Sequence, residues 1–107
     1  MAKTPEGIIQ TYAQEQLKKR GCLVRKISYE ERRGCPDLLV LVPEWHTNSV
    51  YQFPHVLFLE IKKDEQTKPD PHQQREHERI RQHGGDVRVI CSKEQVDSLL
   101  SELFPCD

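Results

Sequence analysis

Gly34-Cys35-Pro36-Asp37-Leu38-Leu39-Val40-Leu41-Val42, taken with Val56-Leu57-Phe58-Leu59-Glu60-Ile61-Lys62, sets charged residues at the ends of two apolar runs. Leu38 to Val42 and Val56 to Ile61 read as buried strands, apolar on both faces and therefore central in a sheet with covering layers. Desolvating a carboxylate or an ammonium is costly unless it is paired or bound to a metal. Glu60 and Lys62 are two apart and share one strand face, while Ile61 points the other way. Two carboxylates and a lysine at adjoining strand ends suit a divalent cation and a phosphate.

Outward from these strands, Thr4-Pro5 opens a helix, Thr4 as N-cap and Pro5 at its first position. It should run to about Arg20 and stop at Gly21. Ile8, Ile9, Tyr12, Ala13, Gln16 and Leu17 form its expected inner stripe, with Glu6 on the same side as Ala13 and Leu17. Cys22 to Ile27 reads as a first strand, followed by the polar loop Ser28 to Arg33. Pro43 ends the second strand, and the segment to Pro54 reads as loop. After the loop Asp64 to Pro69, Asp70 caps a helix from Pro71 to about His83, stopped by Gly84-Gly85. Val87 to Cys91 is a fourth strand. Ser92-Lys93-Glu94-Gln95 has the form of a capping box and opens a last helix with Val96, Leu99, Leu100, Leu103 and Phe104 inward. The order αβββαβα implies a mixed sheet between helices, one α/β domain over residues 1–107.

Composition sets bounds. The chain has 107 residues, 36% of them hydrophobic, enough for one small core that a second subunit would help to cover. No apolar stretch approaches the roughly 20 residues of a membrane span, and Met1 to Pro5 lacks a signal-peptide core, so a soluble intracellular protein is expected. Cys22, Cys35, Cys91 and Cys106 form no C-x-x-C pair and read as reduced thiols rather than a zinc site. Net charge is −1 overall, with residues 1–36 carrying +4 and the remainder −5. Arg32-Arg33 beside Asp37 could steer a phosphate backbone, or be ordinary loop charge.

Phosphodiester hydrolysis needs charge neutralisation at the phosphate, an activated water and a stabilised leaving oxygen. A magnesium-class ion on hard carboxylate oxygens supplies much of this. Asp37 and Glu60 are the candidate ligands, with the Ile61 backbone carbonyl as a further oxygen. Lys62 could orient or deprotonate the water or neutralise the oxyanion.

The pattern Pro36-Asp37 with Glu60-Ile61-Lys62 resembles the PD-(D/E)XK nucleases. The finer resemblance, over nearly the whole chain, is to the virus-type replication-repair nuclease (VRR-NUC) family. It takes in Glu6, Arg32 to Asp37, Glu60-Ile61-Lys62, Pro71-His72-Gln73 and the Gly84 to Ile90 segment with its following helix. The stretch Trp45 to Pro54 departs from it in being longer than a tight hairpin. The resemblance implies a restriction-endonuclease-like core and a Mg2+- or Mn2+-dependent deoxyribonuclease with no organic cofactor. Asp37 and Glu60 would bind the metal, and Lys62 would assist catalysis. Glu6 would hold the metal directly or through a water, and Gln73 would support the site. Arg32, Arg33 and Lys63 are the expected DNA contacts. Relatives of this size resemble homodimeric enzymes that resolve branched or four-way-junction DNA. They belong mostly to phages and bacteria, which implies the cytoplasm of a bacterial or phage-infected cell.

Plainer readings stand beside these. Glu6 could merely complement a helix dipole, Gln73 complete a capping box with Asp70, Asp37 be a turn residue and Glu60-Lys62 a surface ion pair. His46, His55, His72, His77 and His83 lack paired ligand spacing and read as solvated, except His77, which with Ile80 could face the sheet. A non-catalytic DNA-binding module on the same fold is the alternative function. An interaction protein with a structural metal is the third. Trp45 to Phe53 is the candidate dimer interface.

Overall fold

A computed structural model describes residues 4–43 and 55–105. Helix α1 (Pro5–Lys19) precedes strands β1 (Leu23–Lys26), β2 (Leu38–Val42) and β3 (His55–Ile61), followed by α2 (Pro71–Gln82), β4 (Asp86–Ile90) and α3 (Lys93–Leu103). The sheet order is β1-β2-β3-β4, antiparallel except for the parallel β3–β4 pair. The αβββαβα order and the central position of β2 and β3 are as expected. β1 is shorter than Cys22 to Ile27, and β4 lies one residue earlier than Val87 to Cys91.

Helix ends follow the chain's punctuation. Thr4 Oγ1 accepts from Gly7 N at 2.9 Å. Gly21 and Gly84, at φ 85° each, close α1 and α2 in the left-handed conformation. There Cys22 N donates to Leu17 O at 3.1 Å and Gly85 N to Ile80 O at 2.8 Å, the paired bonds of a Schellman ending. Ser92 accepts from Gln95 N at 3.2 Å, but the Gln95 amide oxygen takes the Cys91 N–H at 2.6 Å rather than that of Ser92. Half of the expected box is present, and its glutamine reaches one residue further back.

The core lies on one sheet face. Leu38, Val40, Val42, Leu57, Leu59 and Ile61, all fully buried, meet Ile9, Ala13 and Leu17 of α1 and Val96, Leu99, Leu100 and Leu103 of α3. Ile8 is not part of it. It is 41% exposed, because the packed stripe is the single row Ile9, Ala13, Leu17 and Ile8 falls beyond its margin. Tyr12 at the edge bonds Asp97 of α3 at 2.7 Å.

The opposite face is covered less completely. α2 lies over β3 and β4, while Leu39, Leu41 and Phe58 are half-buried and Leu23 and Val56 are exposed at 44% and 43%. The expected second layer therefore extends over only part of the sheet among the described residues. The loop Trp45 to Pro54 and the interface proposed on Trp45 to Phe53 lie outside those residues, as do His46 and Cys106. Cys22, Cys35 and Cys91 are free thiols.

Candidate active site

Strand register brings the charged ends together. Leu38 pairs with Leu59, so one further step sets Asp37 opposite Glu60 on the same face. Asp37 N donates to Leu59 O at 3.0 Å, and Ile61 N donates to Asp37 Oδ2 at 2.6 Å. The aspartate is thus tied by main chain and side chain to the strand that carries Glu60. Like charges directly opposite on a sheet repel.

Glu60 is 1% exposed. Burial first, then its hydrogen bond and charge repulsion with Asp37, push its carboxyl up to about 8. Lys62 draws it down and the Glu6 charge raises it further. Without a cation, burial and the hydrogen bond to Asp37 favour the protonated form of this carboxyl at neutral pH.

α2 supplies the remaining partners. Gln73 Nε2 donates to Glu60 Oε2 at 2.9 Å, and Gln73 Oε1 accepts from Lys62 Nζ at 2.9 Å and from Asp70 N at 3.0 Å. Asp70 in turn accepts from Gln73 N at 2.9 Å. Gln73 therefore both completes the capping box and holds two site residues. Lys62 Nζ stands 3.8 Å from Glu60 Oε2 with 14% of its side chain exposed, a partly buried pair and not a surface one.

His77 is the residue that counting apolar positions understates. It is 2% exposed, and its Nε2 lies 3.2 Å from Glu60 Oε1. Burial, then the charges of Arg81 and Lys62, lower its pKa, which favours the uncharged ring beside Glu60. It is not a solvated histidine. The other histidines in the described residues are also engaged: His55 with Asp86 at 2.9 Å, His72 with Arg33 at 3.3 Å and Arg75 at 3.2 Å, and His83 with Arg79 O at 2.7 Å.

Glu6 is exposed on the first turn of α1, at the end of the side that carries Ile9, Ala13 and Leu17. Its charge reaches Glu60 and raises that carboxyl's pKa. Arg32, Arg33 and Lys63 are exposed.

Sequence reasoning passed over a second buried carboxylate. Glu76 accepts from Tyr29 Oη at 2.7 Å and pairs with Arg32 and Arg79 at 3.4 Å each. Burial, then this bond, raise the Tyr29 pKa strongly, so the phenol stays protonated and donates. Gly34, at φ 96°, packs so closely that a Cβ would lie 2.6 Å from His72 O and 3.0 Å from Glu76 Cβ. The loop carrying Asp37 is thereby docked on the helix that holds Glu60 and Lys62. The signal was spacing: Gln73, Glu76, His77 and Ile80 fall at i, i+3, i+4 and i+7, one helix face.

Among the described residues no three His, Cys, Asp or Glu side chains group as a metal cluster. The chemistry of the donor set fits magnesium rather than zinc. A magnesium-class ion keeps several waters and needs only one or two carboxylates, and a cation relieves the repulsion between Asp37 and Glu60 that raises the Glu60 pKa.

No protein-family model matches the chain, and no curated protein does. A solved structure described as a "VRR_NUC domain" is similar to it at 51% identity and a TM-score of 0.81, the match covering 92% of this chain and 96% of that one. With that identity over nearly all of both chains, and the mixed sheet flanked by helices, the chain belongs to the VRR-NUC family of nucleases.

Proposed function

We propose that the protein is a metal-dependent DNA endonuclease acting on branched DNA. The observation that carries this reading is the Asp37–Glu60 pair, two opposed carboxylates beside Lys62 at the end of a buried strand. Asp37, Glu60 and the Ile61 carbonyl would hold Mg2+ or Mn2+, with Glu6 acting on its outer waters. The bound ion would neutralise the scissile phosphate and acidify a water.

The chain's own residues do the rest. Ile61 N–H fixes one Asp37 oxygen. Gln73 and His77 hold the two Glu60 oxygens in place. Lys62, steadied by the Gln73 amide oxygen, presents an ammonium to the attacking water or to the charge developing on phosphate. Arg32, Arg33 and Lys63 offer exposed cations to the DNA backbone.

A homodimer would give two sites for paired incisions in a two-fold substrate. Support for a partner comes from the exposed Leu23 and Val56 beside half-buried Leu39 and Leu41.

A panel of single-stranded, duplex, flap and four-way-junction DNAs with Mg2+ or Mn2+ tests the reading. Cation-dependent cleavage that favours branched DNA is expected. Tight binding of the whole panel without cleavage would make the protein a DNA-binding module instead.

A further inference from the structure

A second feature lies beside the carboxylate pair, and of its residues only Arg32 figures in the steps above. An open concavity of about 400 Å³ has Phe58 and Ile80 among its walls, with Arg32, Arg79, Glu76 and His83 around them. It adjoins the site by construction. Phe58 is two residues before Glu60 on the same face of β3, and Arg32 belongs to the loop that leads into Asp37. Ile80 follows His77 by one turn of α2.

The two guanidiniums converge on one carboxylate. Glu76 Oε1 lies 3.4 Å from Arg32 Nη2 and 3.4 Å from Arg79 Nη1, while its other oxygen is held by Tyr29 at 2.7 Å. The Glu76 side chain is only 11% exposed, whereas those of Arg32 and Arg79 are 56% and 52% exposed. Two cations on one buried carboxylate leave an excess of positive charge at the mouth. A guanidinium has five N–H donors, so the contact with Glu76 leaves others for a phosphate.

An aromatic and an aliphatic wall beside two guanidiniums is the chemistry that takes an unpaired base with its phosphate. The base stacks on ring and guanidinium, and the anion meets the arginines. A paired base cannot enter, because its face is covered in the duplex. We infer that this concavity binds an unpaired nucleotide of the DNA substrate next to the cleaved bond, which would give the enzyme its preference for branched DNA. The inference rests on the nuclease reading for the identity of the polymer, but it needs no metal and no cleavage.

The test is binding in EDTA, with a blunt duplex and the same duplex bearing a single-stranded arm that carries 2-aminopurine. Wild type should bind the armed DNA more tightly and change the 2-aminopurine fluorescence. Arg79→Ala, at an exposed position, should weaken the armed DNA about tenfold, in the range of one lost stacking contact, and the duplex less than twofold. Phe58→Leu keeps the wall apolar but removes the ring, and should abolish the fluorescence change while thermal unfolding stays within a few degrees. Equal losses on both DNAs in Arg79→Ala would reduce the arginine to a plain backbone contact and overturn the inference. So would a wild type that prefers no arm. If that same wild type cuts duplex with Mg2+, the pocket falls and the nuclease reading stands. If it neither binds nor cuts any DNA, both fall.

Discussion

Glu60 is the residue on which most of the physics converges. Its carboxyl is raised to about 8 from an unperturbed 4.5, so between those values the native state holds a proton that the unfolded chain has lost. The Glu60 contribution to the stability of the metal-free protein therefore falls as pH rises from about 5 to 8.5, by on the order of a few kcal/mol across the window, while His77, with its lowered pKa, contributes in the opposite sense. Thermal unfolding in EDTA should show that decline, and Glu60→Gln, which keeps a neutral polar group in place, should flatten it. A cation must displace the same proton, so apparent Mg2+ affinity should rise up to tenfold per pH unit to about 8 and then level. Titration calorimetry at several pH values reads this directly. Lys62→Ala should slow single-turnover cleavage strongly while sparing DNA binding, since it removes a contact to charge that develops in the transition state. Lys62→Arg should rescue only in part, because a planar fork does not replace a compact ammonium on the Gln73 oxygen.

Among the elements, α2 carries the heaviest duty; its bounds were legible from Asp70, Pro71 and Gly84, but its inner face was not. Strands β2 and β3 declared themselves by apolar runs, and the caps at Thr4, Asp70 and Ser92 by residue type. The inner face of α2 is Gln73, Glu76, His77 and Ile80, polar because it covers a charged strand end, so hydrophobic periodicity finds no helix face there. Tyr29 and Glu76 were invisible for the same reason, as their pairing joins residues 47 apart with no local pattern. Ile8 erred in the other direction, an apolar residue just outside a narrow packed row. Gln73 illustrates a forced choice that the structure dissolves, because one amide serves cap and site together. Gln73→Glu separates those duties. It retains the capping-box acceptor but loses the amide donor to Glu60 and adds a third carboxylate. Cleavage should drop at least tenfold with little change in unfolding temperature. Gly34→Ala tests the docking of the Asp37 loop. Its positive φ and the 2.6 Å approach to His72 O should cost about 1–3 kcal/mol, read by urea unfolding, and lower activity beyond that loss of folded protein.

For the whole molecule, one sheet face is sealed by α1 and α3 and the other is shared between α2 and open apolar surface at Leu23 and Val56. A dimer that covers this surface should appear by light scattering at tens of micromolar. Leu23→Lys together with Val56→Lys, at two exposed sheet positions, should shift it to monomer without unfolding it; an unchanged dimer would move the interface elsewhere. The central claim is that opposed Asp37 and Glu60 form a cation site for DNA cleavage, and single-turnover cleavage of junction DNA tests it most directly. At matched protein and Mg2+ concentrations, wild type should cut, while Asp37→Asn and Glu60→Gln, both folded, should show no cleavage above background. Cleavage by either variant at the wild-type rate would contradict the account.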